Sequence, residues 1–185
     1  TTALLVRIGE EPDGLASREA SRFGTIEARA ADLVAERLTR LLDGLCDTSE
    51  QADMIALTRA LSGLGPGLTP TGDDLLVAIA AACQRLVAGG YWPAPRRDAL
   101  TAALAGMGDT GTTAVAREMV RDAAAGRFPG VLANFVELLG DRDTAAEKVQ
   151  AAAGRLAAIG AHSGADMLAG VMAVAARACR EGTAR

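Results

Sequence analysis

Residues 63–83 read GLGPGLTPTGDDLLVAIAAAC, a turn-rich segment that runs straight into an uninterrupted apolar one. Residues 63–74 contain four glycines, two prolines, two threonines and two adjacent aspartates. Glycine and proline fix turns, and small aliphatic side chains favour a closely packed helix. The stretch therefore predicts a shaped loop that ends at the start of a buried helix.

Composition extends this prediction to the whole chain. Half of the 185 residues are hydrophobic, only five are aromatic, and 41 are alanine. Such a composition favours helices packed through small side chains over a sheet of β-branched and aromatic residues. A chain of this length can bury one hydrophobic core. We therefore expect an all-α fold, a compact bundle of seven or eight helices.

Apolar spacing and capping residues locate these helices. They predict helices at about 26–45, 48–62, 72–87, 95–105, 113–126, 129–139, 144–159 and 164–180. Thr48 and Gln51 form a capping-box pattern at the second helix. Residues 3–8, ALLVRI, predict a short strand, and residues 9–24 a loop. We expect 1–24 to be an N-terminal extension or the remnant of a preceding domain, and 25–185 to be the helical domain.

Charge and cysteine content exclude several functional classes. The formal net charge is −4 and the 19 basic residues are dispersed, so a nucleic-acid binder is not expected. The longest apolar runs fall well short of the roughly 18–20 residues that cross a membrane. Cys46, Cys83 and Cys179 are odd in number and widely separated, as expected for reduced thiols in a cytoplasmic protein. A single histidine excludes the usual zinc sites.

Two helix starts share one pattern. The sequence TGDDLL at 71–76 aligns with SGADML at 163–168, 92 residues later, so both follow hydroxyl–Gly–x–Asp–apolar–Leu. The pattern indicates either an internal duplication or two similar helix starts. Thr71 and Ser163 are predicted N-caps, and Asp74 and Asp166 then occupy the third helical position, where a carboxylate meets the positive helix end.

The loops also suit a small anion. A glycine-rich approach to a helix N-terminus presents backbone N–H groups, as phosphate-binding loops do. No lysine follows the last glycine, so this is not a Walker loop. Asp73 and Asp74 are candidate magnesium ligands, or acceptors for an amide of the ligand. The predicted ligand-binding residues are Gly65, Gly67, Thr69, Thr71, Gly72, Asp73, Thr112, Thr113, Gly164 and Asp166. Alternatively, these residues only cap and pack helices.

His162 is the only histidine and precedes Ser163 in the loop GAHSG at 160–164. A neutral imidazole there can donate to a ligand carbonyl or act as a general acid or base. Together with Asp74, these two residues are the candidate catalytic groups. A structural hydrogen-bonding role is the alternative for His162. A triad of Ser163, His162 and Asp166 is not expected, because adjacent side chains rarely reach each other productively.

Three segments resemble the AllH-like family: GLGPGLTPTGDDLLVA at 63–78, the threonine-rich helix start at 110–119, and IGAHSGADMLAGV at 159–171. The resemblance covers about residues 50–185, and the first motif is highly specific. Thr71 replaces the usual serine, and Ala161–His162 stand where Gly-His or His-Ser is usual. Members typically carry a further N-terminal part, so the resemblance implies that this chain is a fragment or a short variant.

The resemblance implies a subunit of the oxamate carbamoyltransferase of allantoin breakdown, acting with an FdrA-like protein and a second partner subunit. Carbamoyl phosphate would then offer an anion to Gly65, Gly67 and the helix start, and an amide to the adjacent aspartates. His162 or Ser163 would donate to its carbonyl. A homodimer or a hetero-complex is expected. The alternative is a non-catalytic scaffold or regulatory subunit, which the absence of Lys, Arg and Cys from the three loops favours.

Overall fold

A computed structural model describes residues 17–46, 53–109 and 111–183. These ranges form eight helices and contain no strand, which confirms the all-α prediction. The helices are α1 Ser17–Cys46, α2 Met54–Leu61, α3 Thr71–Ala88, α4 Ala94–Gly106, α5 Ala114–Ala124, α6 Gly130–Gly140, α7 Ala146–Ala157 and α8 Ser163–Thr183.

The main difference from the predicted boundaries is at α1. This helix begins at Ser17, so the predicted loop is wrong for residues 17–24. These residues include good helix formers, but the apolar periodicity begins only at Ile26, and periodicity alone therefore placed the start too late. The predicted strand at 3–8 and the capping box of Thr48 and Gln51 lie outside the described residues.

Helix α3 is the centre of the bundle. Every residue from 72 to 83 is buried, as the uninterrupted apolar run predicted. The helix packs against α4, α5, α6 and most extensively α8. At the crossing with α8, a Cβ atom on Gly170 would lie 2.8 Å from the Cβ of Ala78. A residue without a side chain therefore permits the close approach of the two central helices.

The repeat seen in the sequence extends to contacts made by α3 and α8. Arg85 on α3 reaches the last turn of α6, donating to the Gly140 carbonyl at 2.9 Å and lying 3.3 Å from the Glu137 carboxylate. Arg177, 92 residues after Arg85, reaches the last turn of α1, where Asp43 lies 2.8 Å away. The two arginines therefore make similar contacts, each with the last turn of another helix.

Candidate functional site

The starts of α3 and α8 lie side by side. Thr71, the first residue of α3, donates its hydroxyl to Oδ2 of Asp166 at 2.9 Å. The hydroxyl oxygens of Thr69 and Ser163 are 2.5 Å apart and share a hydrogen bond. Two positive helix ends and the loop at 63–70 therefore meet in one region.

A glycine at each start allows the chain to approach the helix before it. A Cβ atom on Gly72 would lie 1.8 Å from the carbonyl oxygen of Leu61, the last residue of α2. On Gly164, it would lie 1.9 Å from the carbonyl oxygen of Leu156 in α7. The shared glycine is thus required for packing at both starts, and this part of the motif has a structural explanation.

The predicted N-caps are not formed. Pro70 is the N-cap of α3, with no side-chain capping bond, and α8 begins at Ser163 itself. The hydroxyls of Thr71 and Ser163 instead reach across to the neighbouring start. Pro70 occupies the N-cap position with an extended backbone, at ψ 145°. Thr71 is therefore already inside the helix, and its hydroxyl is free to reach the start of α8.

Asp73 connects three elements. Its Oδ1 accepts from the Ser62 hydroxyl at 2.7 Å, and its Oδ2 accepts from the Gly63 N–H at 3.0 Å and the Thr112 hydroxyl at 2.6 Å. The carboxylate is buried, and both of its oxygens are engaged. The arrangement stabilises the junction of α2, the loop and the start of α5. The role of Ser62 was not predicted, because no motif spacing links it to Asp73.

Thr113 ties α5 to the same loop. Its hydroxyl accepts from the N–H of Ala116 at 3.1 Å, which confirms the predicted helix start, and it donates to the carbonyl of Leu68. The loops at 63–74 and 106–113 are therefore in direct contact, as a shared site requires.

Asp74 is different from every other carboxylate of the site. It has no exposed surface, and neither of its oxygens has a hydrogen-bond partner within the described residues. Burial raises its pKa to about 6, and the charges of Asp166 and Asp73 act in the same direction. The hydroxyls of Ser163 and Thr69 lie close enough to act as weak donors that lower this pKa, but they bond to each other and their geometry toward Asp74 falls short of a normal hydrogen bond, so burial prevails. The carboxyl therefore exchanges its proton close to neutral pH.

The remaining predicted residues lie around this centre. His162 is exposed in the turn before α8, and its carbonyl accepts from the N–H of Asp166 at 2.9 Å. Gly65 and Gly67 are exposed and have positive φ angles of 113° and 98°. A Cβ atom on Gly65 would lie 2.8 Å from the backbone nitrogen of Thr71, whereas Gly67 faces open space.

Several backbone donors at the start of α3 are already used. The N–H of Gly72 donates to the Leu64 carbonyl at 2.8 Å, and those of Asp73 and Asp74 donate to the Pro70 carbonyl. Donors for an anion must therefore come mainly from the exposed stretch 65–68 and from hydroxyls. Across the described ranges, no three His, Cys, Asp or Glu side chains are grouped to hold a metal ion.

The cysteines have the predicted thiol state. Cys83 is buried, Cys46 half-buried and Cys179 exposed, and all three are free. Of the helices in the described part of the chain, none has both the length and the apolar character needed to cross a membrane.

Comparison with known proteins identifies the family. Residues 61–175 match the family described as oxamate carbamoyltransferase subunit AllH. This match spans more than half of the 185 residues and includes both helix starts described above. No curated protein and no solved structure matches the chain. The chain therefore belongs to the AllH family of oxamate carbamoyltransferase subunits.

Proposed function

We propose that this chain binds a small carbamoyl- or phosphate-bearing ligand at the paired starts of α3 and α8, as one subunit of an oxamate carbamoyltransferase. The observation that carries the proposal is Asp74, a fully buried carboxyl group whose oxygens make no hydrogen bond of normal geometry within the described residues. A buried polar group left unpaired costs about 1–3 kcal/mol. Functional sites are where such a cost is commonly retained.

The chemistry of carbamoyl phosphate fits these surroundings. Its NH₂ group can donate to an ionised Asp74, satisfying the unpaired oxygens. Its phosphate suits two adjacent positive helix ends and the backbone donors of the exposed stretch 65–68. If magnesium takes part, Asp74 would be the residue that holds it, and the ion would supply positive charge to the phosphate, since magnesium in proteins is usually held by one or two carboxylates together with substrate phosphates.

Ligand entry requires a local rearrangement. The hydrogen bond between Thr69 and Ser163 links the loop to α8 beside Asp74. Separation of these hydroxyls would release two donors at the same place. Ser163, or the exposed His162, would then stabilise the negative charge that develops on the carbamoyl oxygen during transfer. Asp73 would hold the loop in position rather than contact the ligand, because its oxygens are already engaged.

The partners in this proposal are an FdrA-like protein and a further carbamoyltransferase subunit, in the cytoplasmic breakdown of allantoin. Residues 63–74, 106–113 and 160–164 contain no Lys, Arg or Cys, although Arg59 and Arg117 reach the loop at 106–113 from neighbouring helices. The partner subunits would supply further cationic groups.

A non-catalytic scaffold or regulatory subunit is the second candidate. The complete burial of Asp74 favours it, because a catalytic group must be reached by its substrate. Turnover by the reconstituted complex separates the two functions. Asp74→Asn should abolish turnover in a catalytic subunit, whereas in a scaffold it should leave assembly and turnover unchanged.

Calorimetric titration of carbamoyl phosphate, with and without magnesium, tests the proposal. We expect binding by the wild-type chain or by its assembled complex, and a loss of that binding in Asp74→Asn. Asp122→Asn is the matched control, because Asp122 is an exposed aspartate on α5 that pairs with Arg127 at 2.6 Å. Undiminished binding by a folded Asp74→Asn protein, or no binding by either the chain or the complex, would remove the proposal.

A further inference from the structure

A second concave site lies at the opposite ends of α3 and α8 from the motif loops. It is a cavity of about 430 Å³ between these two helices and the end of α6. Its walls are mainly apolar and include Val136, Leu139, Val171 and Val174. Small-molecule sites commonly have volumes of roughly 300–1,000 Å³ and similar walls.

Arg85 forms part of the wall in a position that two glycines make available. A Cβ atom on Gly140 would lie 2.6 Å from Nε of Arg85, and one on Gly89 would lie 3.0 Å from its Nη1. The Nε atom is buried and makes no hydrogen bond within the part of the chain that the structure describes, although Glu137 lies 3.3 Å away. The guanidinium group is therefore held at the cavity with donor capacity left over.

A second cation lies at the same cavity. Arg142 donates from Nε to the Tyr91 hydroxyl at 2.8 Å, and its guanidinium carbon lies 5.4 Å from the ring centre. The acidic residue that lines the cavity, Glu181, is already paired with Arg96 at 2.6 Å. Because Arg85 is already paired with Glu137, Arg142, which forms no ion pair within the described residues, is the main electrostatic partner for a negatively charged group.

We infer that this cavity binds a small organic anion with an apolar body. The body packs between α3, α6 and α8, and the anionic group lies against Arg85 and Arg142. The site is separate from the one in the proposed function, because none of its lining residues belongs to the motif loops.

Titration with indole-3-acetate tests the inference, and indole-3-acetamide is its uncharged control. We expect saturable binding of the acetate at one site per chain. Binding of the amide should be about threefold weaker, as should binding of the acetate to Arg142→Ala, because exposed ion pairs contribute about 0.2–1 kcal/mol.

A variant that fills the cavity provides a second test of the inference. Ala175 lines the cavity, whereas its exposed neighbour Ala176 does not. Ala175→Phe should abolish binding of indole-3-acetate, and Ala176→Phe should leave it unchanged. Circular dichroism checks that both variants fold. If Ala175→Phe does not fold, protection of the exposed lining residue Cys179 from alkylation by bound indole-3-acetate decides instead.

Two results would overturn the inference: no saturable binding to the wild-type chain, or equal binding to a folded Ala175→Phe protein. Equal affinities for the acetate and the amide, with no effect of Arg142→Ala, would overturn the assignment of an anionic ligand. Asp74→Asn should bind indole-3-acetate normally. Failure of this site is therefore distinguishable from failure of the proposed carbamoyl site.

Discussion

The buried carboxyl of Asp74 makes the stability of the fold depend on pH, and Asp74→Asn measures this dependence. Its pKa is raised from 3.8 to about 6 in the folded state, mainly by burial. A shift of about 2 units corresponds to about 3 kcal/mol at 1.36 kcal/mol per unit. The stability associated with the protonated carboxyl is present below about pH 4, is lost as the pH rises to about 6, and does not change further above that.

The sign follows from which state ionises first. Between about pH 4 and 6 the unfolded chain releases the proton of Asp74 while the folded chain retains it, so the free energy of unfolding falls. An asparagine cannot release this proton. The free energy of unfolding of the variant, relative to that of wild type, should therefore increase by about 3 kcal/mol between about pH 4 and pH 8.

Urea denaturation followed by circular dichroism, repeated across this pH range, provides the assay. The free energy of unfolding of the variant is compared with that of wild type at each pH. The change of this difference with pH is the informative quantity, because the constant effect of replacing a hydroxyl by an amide cancels. Asp122→Asn should reproduce the wild-type pH profile. The reasoning would be refuted if the difference in free energy of unfolding between Asp74→Asn and wild type did not change with pH. It would also be refuted if the variant became less stable than wild type as the pH rises.

Three further outcomes follow from the same geometry. Gly72→Ala should lower the free energy of unfolding, measured by urea denaturation, by about 3 kcal/mol or more, because it places a methyl group 1.8 Å from a carbonyl oxygen. Gly154→Ala, in an open helical position, should gain about 0.5–1 kcal/mol; equal effects would contradict this account. Asp73→Ala should cost about 3 kcal/mol or more, since it leaves three donors without their acceptor, and a loss below about 1 kcal/mol would show that these bonds are dispensable. Iodoacetamide should modify Cys179 but not Cys83, whose burial raises its pKa to about 12; modification of Cys83 in the folded protein, detected by mass spectrometry, would contradict its burial.

Features encoded within one short segment could be predicted from the sequence. The apolar run after Asp74 predicted the buried central helix, and the glycines and prolines before it predicted the loop. Thr113 was correctly placed at a helix start because a hydroxyl residue before a helix is a local signal. The spacing of 92 residues between two similar motifs also indicated that Thr71 and Ser163 are equivalent.

Features that depend on how distant segments meet could not be predicted. The same residues that indicate an N-cap can donate across an interface once another helix start lies beside them, as Thr71 does to Asp166. The pairing of Ser62 with Asp73 follows from the loop path and has no periodic signature. The isolation of Asp74 likewise depends on which neighbours take its candidate donors, Thr69 and Ser163.

Backbone amide shifts in nuclear magnetic resonance, recorded during a titration with carbamoyl phosphate, test the central claim most directly. The labelled chain would be measured alone and assembled with its partner subunits. We predict that the largest shifts occur at residues 65–74 and 163–166, and that Asp74→Asn removes them. An unchanged spectrum in both preparations, or shifts centred on the cavity beside Arg85, would contradict a carbamoyl site at the starts of α3 and α8.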